Sequence, residues 1–139
     1  MPRRDNIHEV VKIALINDKW DITDDPLSVD IDEGEWSFEI DLGAEKIIGA
    51  EKEGIKIAVE IKTFSNSILN GFHAALGQYL TYRDALKEAN INRLLFLAIS
   101  QATYSQLMKV KFIKRRLEQY HINLIVVNIA SQRIVVWKR

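Results

Sequence analysis

Apolar residues recur with helical spacing at Ile7, Val10, Val11, Ala14 and Leu15, which predicts an amphipathic helix over residues 7–18. Asn6 stands as its N-cap, and Glu9 three residues later completes a capping box. Asp24-Asp25-Pro26 signals a turn, after which Leu27, Val29 and Ile31 alternate with polar residues as in a half-buried strand. Trp36, Phe38, Ile40 and Leu42 alternate in the same way, as do Ile55, Ile57, Val59 and Ile61. Three such strands with short polar links predict an antiparallel meander. The period then changes: Ile68, Leu69, Phe72, Ala75, Leu76, Tyr79, Leu80 and Leu86 mark a helix from about 67 to 89. The apolar run from Leu94 to Ile99 fits a strand buried on both faces. Thr103 caps a further helix that carries Tyr104, Leu107, Val110, Leu117 and Tyr120 toward the core. Leu124 to Val127 is the next buried strand, and Ile134 to Trp137 an edge strand. The order α-β-β-β-α-β-α-β-β, without linker or repeat, predicts one α/β domain over residues 1–139 with a mixed sheet.

Composition narrows the classes. A chain of 139 residues, 47% hydrophobic and 27% charged, is in the range of ordinary globular domains and buries about 68% of its unfolded surface on folding. With no Cys it has no disulfide framework, thiolate zinc site or Cys nucleophile. No run of about 18 apolar residues and no signal core occurs, so no membrane segment and a cytoplasmic location are expected. The formal net charge is zero, yet residues 1–62 hold 16 acids against 8 bases and residues 63–139 hold 3 against 11. Such a split points to a site or a partner.

The second and third strands hold the candidate chemistry. Side chains alternate faces, so Glu39 and Asp41 share one face of their strand, and Ala58, Glu60 and Lys62 one face of the next. If these faces align, Asp41 and Glu60 can hold a hard divalent cation through oxygen ligands. Lys62 then points toward the same place and can position or deprotonate an attacking water, the equipment of metal-assisted phosphodiester hydrolysis. The plainer alternative is a set of cross-strand ion pairs, worth roughly 0.2–1 kcal/mol each.

Asp41 followed by Glu60-Ile61-Lys62 resembles the PD-(D/E)XK signature of restriction-endonuclease-like nucleases, with Ile40 where the signature has proline. Glu9 in the preceding helix and Gln78 in the following one match the accessory acid and amide of many such folds. A wider resemblance is carried by Pro2-Arg3-Arg4-Asp5, Ile40-Asp41-Leu42-Gly43-Ala44-Glu45, the stretch from Ala58 to Phe64, and Ala75-Leu76-Gly77-Gln78-Tyr79. Together these are similar to the XisH family of fdxN element excision-controlling factors, found mainly in cyanobacteria. The resemblance implies a restriction-endonuclease-like α/β fold and a role in programmed excision of a DNA element during heterocyst differentiation. It also implies action beside a second small factor, XisI, and a site-specific recombinase. Carried onto this chain, Asp41 and Glu60 are expected to bind Mg²⁺, for which Mn²⁺ can substitute, with Lys62, Glu9 and Gln78 in support.

The remaining residues keep two readings each. Glu9 serves a capping box as readily as a metal. Gln78 lies on a stripe with Gly71, Ala74 or Ala75, and Tyr82 and is either a site amide or solvated. Lys109, Lys111, Lys114, Arg115 and Arg116 cluster in one helix, either contacting DNA phosphates or a partner, or forming a solvated face near a helix C-terminus. His8, His73 and His121 lack paired ligand spacing and read as structural or surface residues. Three functions follow: a metal-dependent DNA endonuclease, a catalytically inactive regulator that binds protein or DNA, or a toxin-like nuclease silenced by its partner. Homo-oligomerisation is compatible with all three.

Overall fold

The computed structural model describes residues 4–46, 54–64 and 67–139, the side chains of residues 4–6 apart. Helix α1 (Arg4–Asn17) is followed by strands β1 (Asp21–Asp24) and β2 (Leu27–Ile31). A 3₁₀ turn at Asp32–Gly34 leads into β3 (Trp36–Ile40), β4 (Leu42–Lys46) and β5 (Ile55–Ile61). Then come α2 (Ile68–Glu88), β6 (Leu94–Ser100), α3 (Gln101–Met108), α4 (Lys111–Gln119), β7 (Leu124–Asn128) and β8 (Arg133–Lys138). Six strands form one sheet in the order β1-β4-β5-β6-β7-β8, while β2 and β3 form a separate two-stranded sheet. The pairs β5–β6 and β6–β7 are parallel and the others antiparallel, so the sheet is mixed as expected.

Each face of the sheet has its own core. Alternation along β5 sends Ile57, Val59 and Ile61 to the side covered by α1, where Val11, Ala14, Leu15 and Phe96 are buried. Trp137 closes that side, stacked on Trp20 at 5.6 Å and meeting Phe96 edge-on at 5.1 Å. Ala58 points to the other side, with Phe72, Tyr79, Leu97, Leu107, Ile113 and Val126 from α2, α3, α4 and the sheet. The Tyr79 hydroxyl, buried in this second core, donates to the Leu95 carbonyl at 2.8 Å and accepts from the Asn123 amide at 3.1 Å. One side chain thereby ties α2 to β6 and to the approach to β7.

Several expectations need correction. The segment from Trp36 to Leu42 is two strands, because the chain bends at Asp41. Among the described residues β3 pairs only with β2, whereas β4 pairs with β1 and β5, so the expected meander is divided between two sheets. β1 was not expected; its single central apolar residue, Ile22, is too little pattern to mark an edge strand. The helix after β6 is broken in two. Lys109 and Val110 donate back three residues, to Gln106 and Leu107, and Val110 is extended. Ser100, not Thr103, caps α3 by accepting from the Thr103 amide at 3.2 Å. Finally, α1 already begins at Arg4, which places Asn6 inside the helix and removes the capping box at that position.

Candidate functional site

The bend at Asp41 and the end of β5 meet. Leu42 is opposite Val59 and Gly43 opposite Ala58, and the same antiparallel register continued one step sets Asp41 across from Glu60. The two residues then interlock. The Asp41 amide donates to Glu60 Oε1 at 3.3 Å, and the Ile61 amide donates to Asp41 Oδ2 at 2.8 Å. Carboxylates thus replace the backbone ladder where β4 diverges from β5.

Glu60 is 3% exposed, one of two buried polar residues among those described. Burial raises its pKa to about 7, reinforced by the charge of Asp41 and by a hydrogen bond between the two carboxyl groups; Lys62 opposes the rise. Lys62 Nζ stands 3.5 Å from Glu60 Oε2. The Lys62 amide donates to the Ala98 carbonyl at 3.1 Å, extending the parallel ladder one residue beyond β5 and fixing where the lysine emerges. Asp41, Glu60 and Lys62 are therefore together, as the strand alternation suggested. Glu39 is not with them: it lies on β3 and accepts from Ser28 at 2.9 Å.

A cleft of about 240 Å³ opens here, lined by Ile7, His8, Asp41, Ile61, Lys62 and Thr63. Ile7 and His8 of α1 reach the cleft lining, while Glu9, one residue on, is exposed to solvent. His8 Nε2 is 2.8 Å from Asp25 Oδ1, and Lys12 Nζ donates to the other Asp25 oxygen at 2.9 Å. Lys12 first, then His8, holds the Asp25 carboxyl below the usual carboxylate range against a small desolvation penalty. Nothing in the spacing of His8 announces this, since its partner is 17 residues away in a turn.

Gln78 is half-buried on α2, and its Nε2 donates to the Tyr82 hydroxyl at 2.8 Å. Its Oε1 is buried with no hydrogen-bond partner among the described residues. Gly71, on the same helix, has another use: a Cβ there would lie 2.9 Å from the Phe64 ring, so the glycine seats the segment that follows Lys62. The basic residues are apart from the cleft. Lys109 lies at the break after α3, and Lys111, Lys114, Arg115 and Arg116 lie on α4. A larger opening, about 750 Å³, lies at the other end of β5 beside Lys56, Arg93 and Arg139. Arg93 is occupied there, donating to the Ala44 and Ile57 carbonyls and pairing with Asp24 at 3.2 Å, so it fastens β1, β4 and β5 together.

The donor set suits a hard cation. One oxygen of each carboxylate is held by an amide, which fixes both side chains, and a divalent ion would relieve the crowding that raises Glu60. Among the described residues no group of three or more His, Cys, Asp or Glu could hold a metal. Two carboxylates with the balance of ligands from water and phosphate is the style of Mg²⁺ rather than of Zn²⁺ or Ca²⁺.

Residues 1–135 match the family model described as XisH protein. The fold is similar to the crystal structure of a fdxN element excision controlling factor protein from Anabaena variabilis, with a TM-score of 0.84 and 36% identity over 98% of this chain and 100% of that one. It is also similar to an XisH family protein from Nostoc punctiforme, with a TM-score of 0.85 and 35% identity over 97% of this chain and 100% of that one. No curated protein matches. On a family model spanning nearly the whole chain and two solved relatives covered from end to end, the chain belongs to the XisH family.

Proposed function

We propose that this chain is a DNA-excision controlling factor that hydrolyses a phosphodiester bond with the help of a divalent cation. The observation that carries the reading is the interlocked pair Asp41 and Glu60 with Lys62 at 3.5 Å from Glu60. In this reading the core is that of a restriction-endonuclease-like nuclease, and Asp41 and Glu60 hold Mg²⁺ or Mn²⁺. The bound cation lowers the pKa of water and neutralises charge on the phosphoryl oxygens. Lys62 orients the attacking water, its backbone fixed by the bond to Ala98. His8, held by Asp25, borders the path of the phosphate. Gln78 offers one unused acceptor for an ordered water. The factor works beside a small XisI-like protein and a site-specific recombinase, which would confine cleavage to the element.

Incubation of the protein with branched, nicked and duplex DNA in Mg²⁺ or Mn²⁺ tests this directly. Cleavage is expected, abolished by chelator and reduced about 10²-fold or more by Lys62→Ala, the scale of a lost proton-handling group. Cleavage that persists in chelator or is indifferent to Lys62→Ala would overturn the assignment. A second reading is favoured by the reciprocal amide bonds, since they also serve as a purely structural clamp between β4 and β5. On that reading the factor is a catalytically inactive regulator of the recombinase: no DNA is cut, and excision in cells withstands Lys62→Ala.

A further inference from the structure

The β2–β3 hairpin carries apolar surface that the described residues leave open. Trp36, Phe38 and Ile40 alternate onto one face. Ile40 is buried, and Phe38 packs on Tyr82 with ring centroids 5.4 Å apart. Trp36, opposite Ile31 at the far end, is 64% exposed. Residues 30–39 hold Asp30, Asp32, Glu33, Glu35 and Glu39 and no base. None of these acids is in a salt bridge among the described residues.

Helix α4 repeats the pattern with the opposite sign. Ile113 and Leu117 face the core, which leaves Phe112, 52% exposed, among Lys111, Lys114, Arg115 and Arg116. These cations also have no acidic partner among the described residues. Both patches lie on the same side of the six-stranded sheet. The hairpin packs on α2 and β5, α3 packs on β6, β7 and α4, and Arg83 of α2 donates to the Tyr120 carbonyl just after α4. Helix α2 therefore runs between them.

We infer that the two patches are halves of one self-complementary interface through which two copies of this chain associate. A twofold axis parallel to α2 turns the second copy over. Its α4 then meets the first copy's hairpin, and the same rotation brings its hairpin to the first copy's α4. Each acidic patch faces a basic one, with Trp36 and Phe112 as aromatic anchors inside a charged rim. A DNA duplex satisfies only half of this face. Phosphates lying along α4 would also approach the hairpin carboxylates, whereas a second copy complements both patches at once. The inference does not depend on hydrolysis at Asp41 and Glu60.

Light scattering on the eluting protein tests it. At about 100 µM chain and about 50 mM salt the wild type is expected at twice the 16.0 kDa chain mass, shifting toward the single chain near 500 mM salt as screening takes hold. Asp30→Lys, Glu33→Lys and Glu35→Lys together leave the hairpin with three bases against two acids, so both patches of that chain are basic. Lys111→Glu, Lys114→Glu and Arg115→Glu together leave α4 with four acids against one base, so both patches of that chain are acidic. Each variant alone is expected to be monomeric with unchanged circular dichroism, and an equimolar mixture of the two is expected to recover a heterodimer. Recovery requires both variants to be folded, so loss of fold cannot imitate it. Trp36→Ala, which changes no charge, should weaken the wild-type dimer at least 10-fold. A wild type that is monomeric under the first condition overturns the inference, as does a dimer that withstands both charge reversals. Duplex DNA retained by a monomeric wild type and lost on Lys111→Glu, Lys114→Glu and Arg115→Glu together would assign the basic face to DNA instead.

Discussion

Glu60 sits where two demands conflict: burial disfavours its charge, and so does Asp41 beside it. Its pKa near 7 in the folded chain, against an ordinary 4.5, means that the native state holds the proton more tightly than the unfolded one. The metal-free protein is therefore expected to be most stable below about pH 4.5 as far as this group is concerned, and to lose that contribution as pH rises toward 7. Glu60→Gln keeps a donor toward Asp41 and removes the titration. Urea unfolding without divalent cations should show the variant more stable than wild type at pH 8, by on the order of 2 kcal/mol, with the difference vanishing near pH 4. A variant less stable than wild type at pH 8 would show that the carboxylate form of Glu60 is itself a favourable part of the fold. His8 is a different case. Its pair with Asp25 is partly exposed, so His8→Ala should change stability by less than about 1 kcal/mol in the same assay, whatever it does in the cleft.

Among the elements, α2 is fastened by one buried hydroxyl. Tyr79→Phe keeps the ring and leaves the Leu95 carbonyl and Asn123 amide without that partner, which should cost roughly 1–3 kcal/mol in denaturant unfolding. A change below a few tenths would mean that water replaces the hydroxyl without penalty. The elements that could be read from sequence share a trait: α2, β5, β6 and β7 are decided by burial on one or both faces. What escaped was decided by contacts distant in sequence. The alternation through Ile40, Asp41 and Leu42 is unbroken, yet the strand divides there because carboxylates take over the hydrogen bonds of the ladder. β1 is held by β4 and by Arg93, from 69 residues beyond Asp24. The alignment of Asp41 with Glu60 and Lys62 was legible because period two fixes which residues share a face. The arrival of His8 at the cleft, and of Glu9 in solvent, depended on how α1 docks on the sheet, which no local pattern encodes.

At the scale of the whole molecule, the opposed charges of the two halves resolve into separate surfaces. Much of the acidic excess is on the β2–β3 hairpin rather than around Asp41 and Glu60, and the basic excess centres on α4 across the same side of the sheet. Among the described residues the charged groups that line the cleft are Asp41 and Lys62, with Glu60 buried and bonded to Asp41, so on the proposed function a cation rather than a broad basic surface brings phosphate to it. Titration of the metal-free protein with Mn²⁺, followed by electron paramagnetic resonance, examines that need most directly. One Mn²⁺ per chain should bind and be displaced by Mg²⁺, and binding should be lost in both Asp41→Asn and Glu60→Gln while the fold is retained. Binding that withstands both substitutions, or a folded wild type that takes up no Mn²⁺, would contradict a shared cation at Asp41 and Glu60.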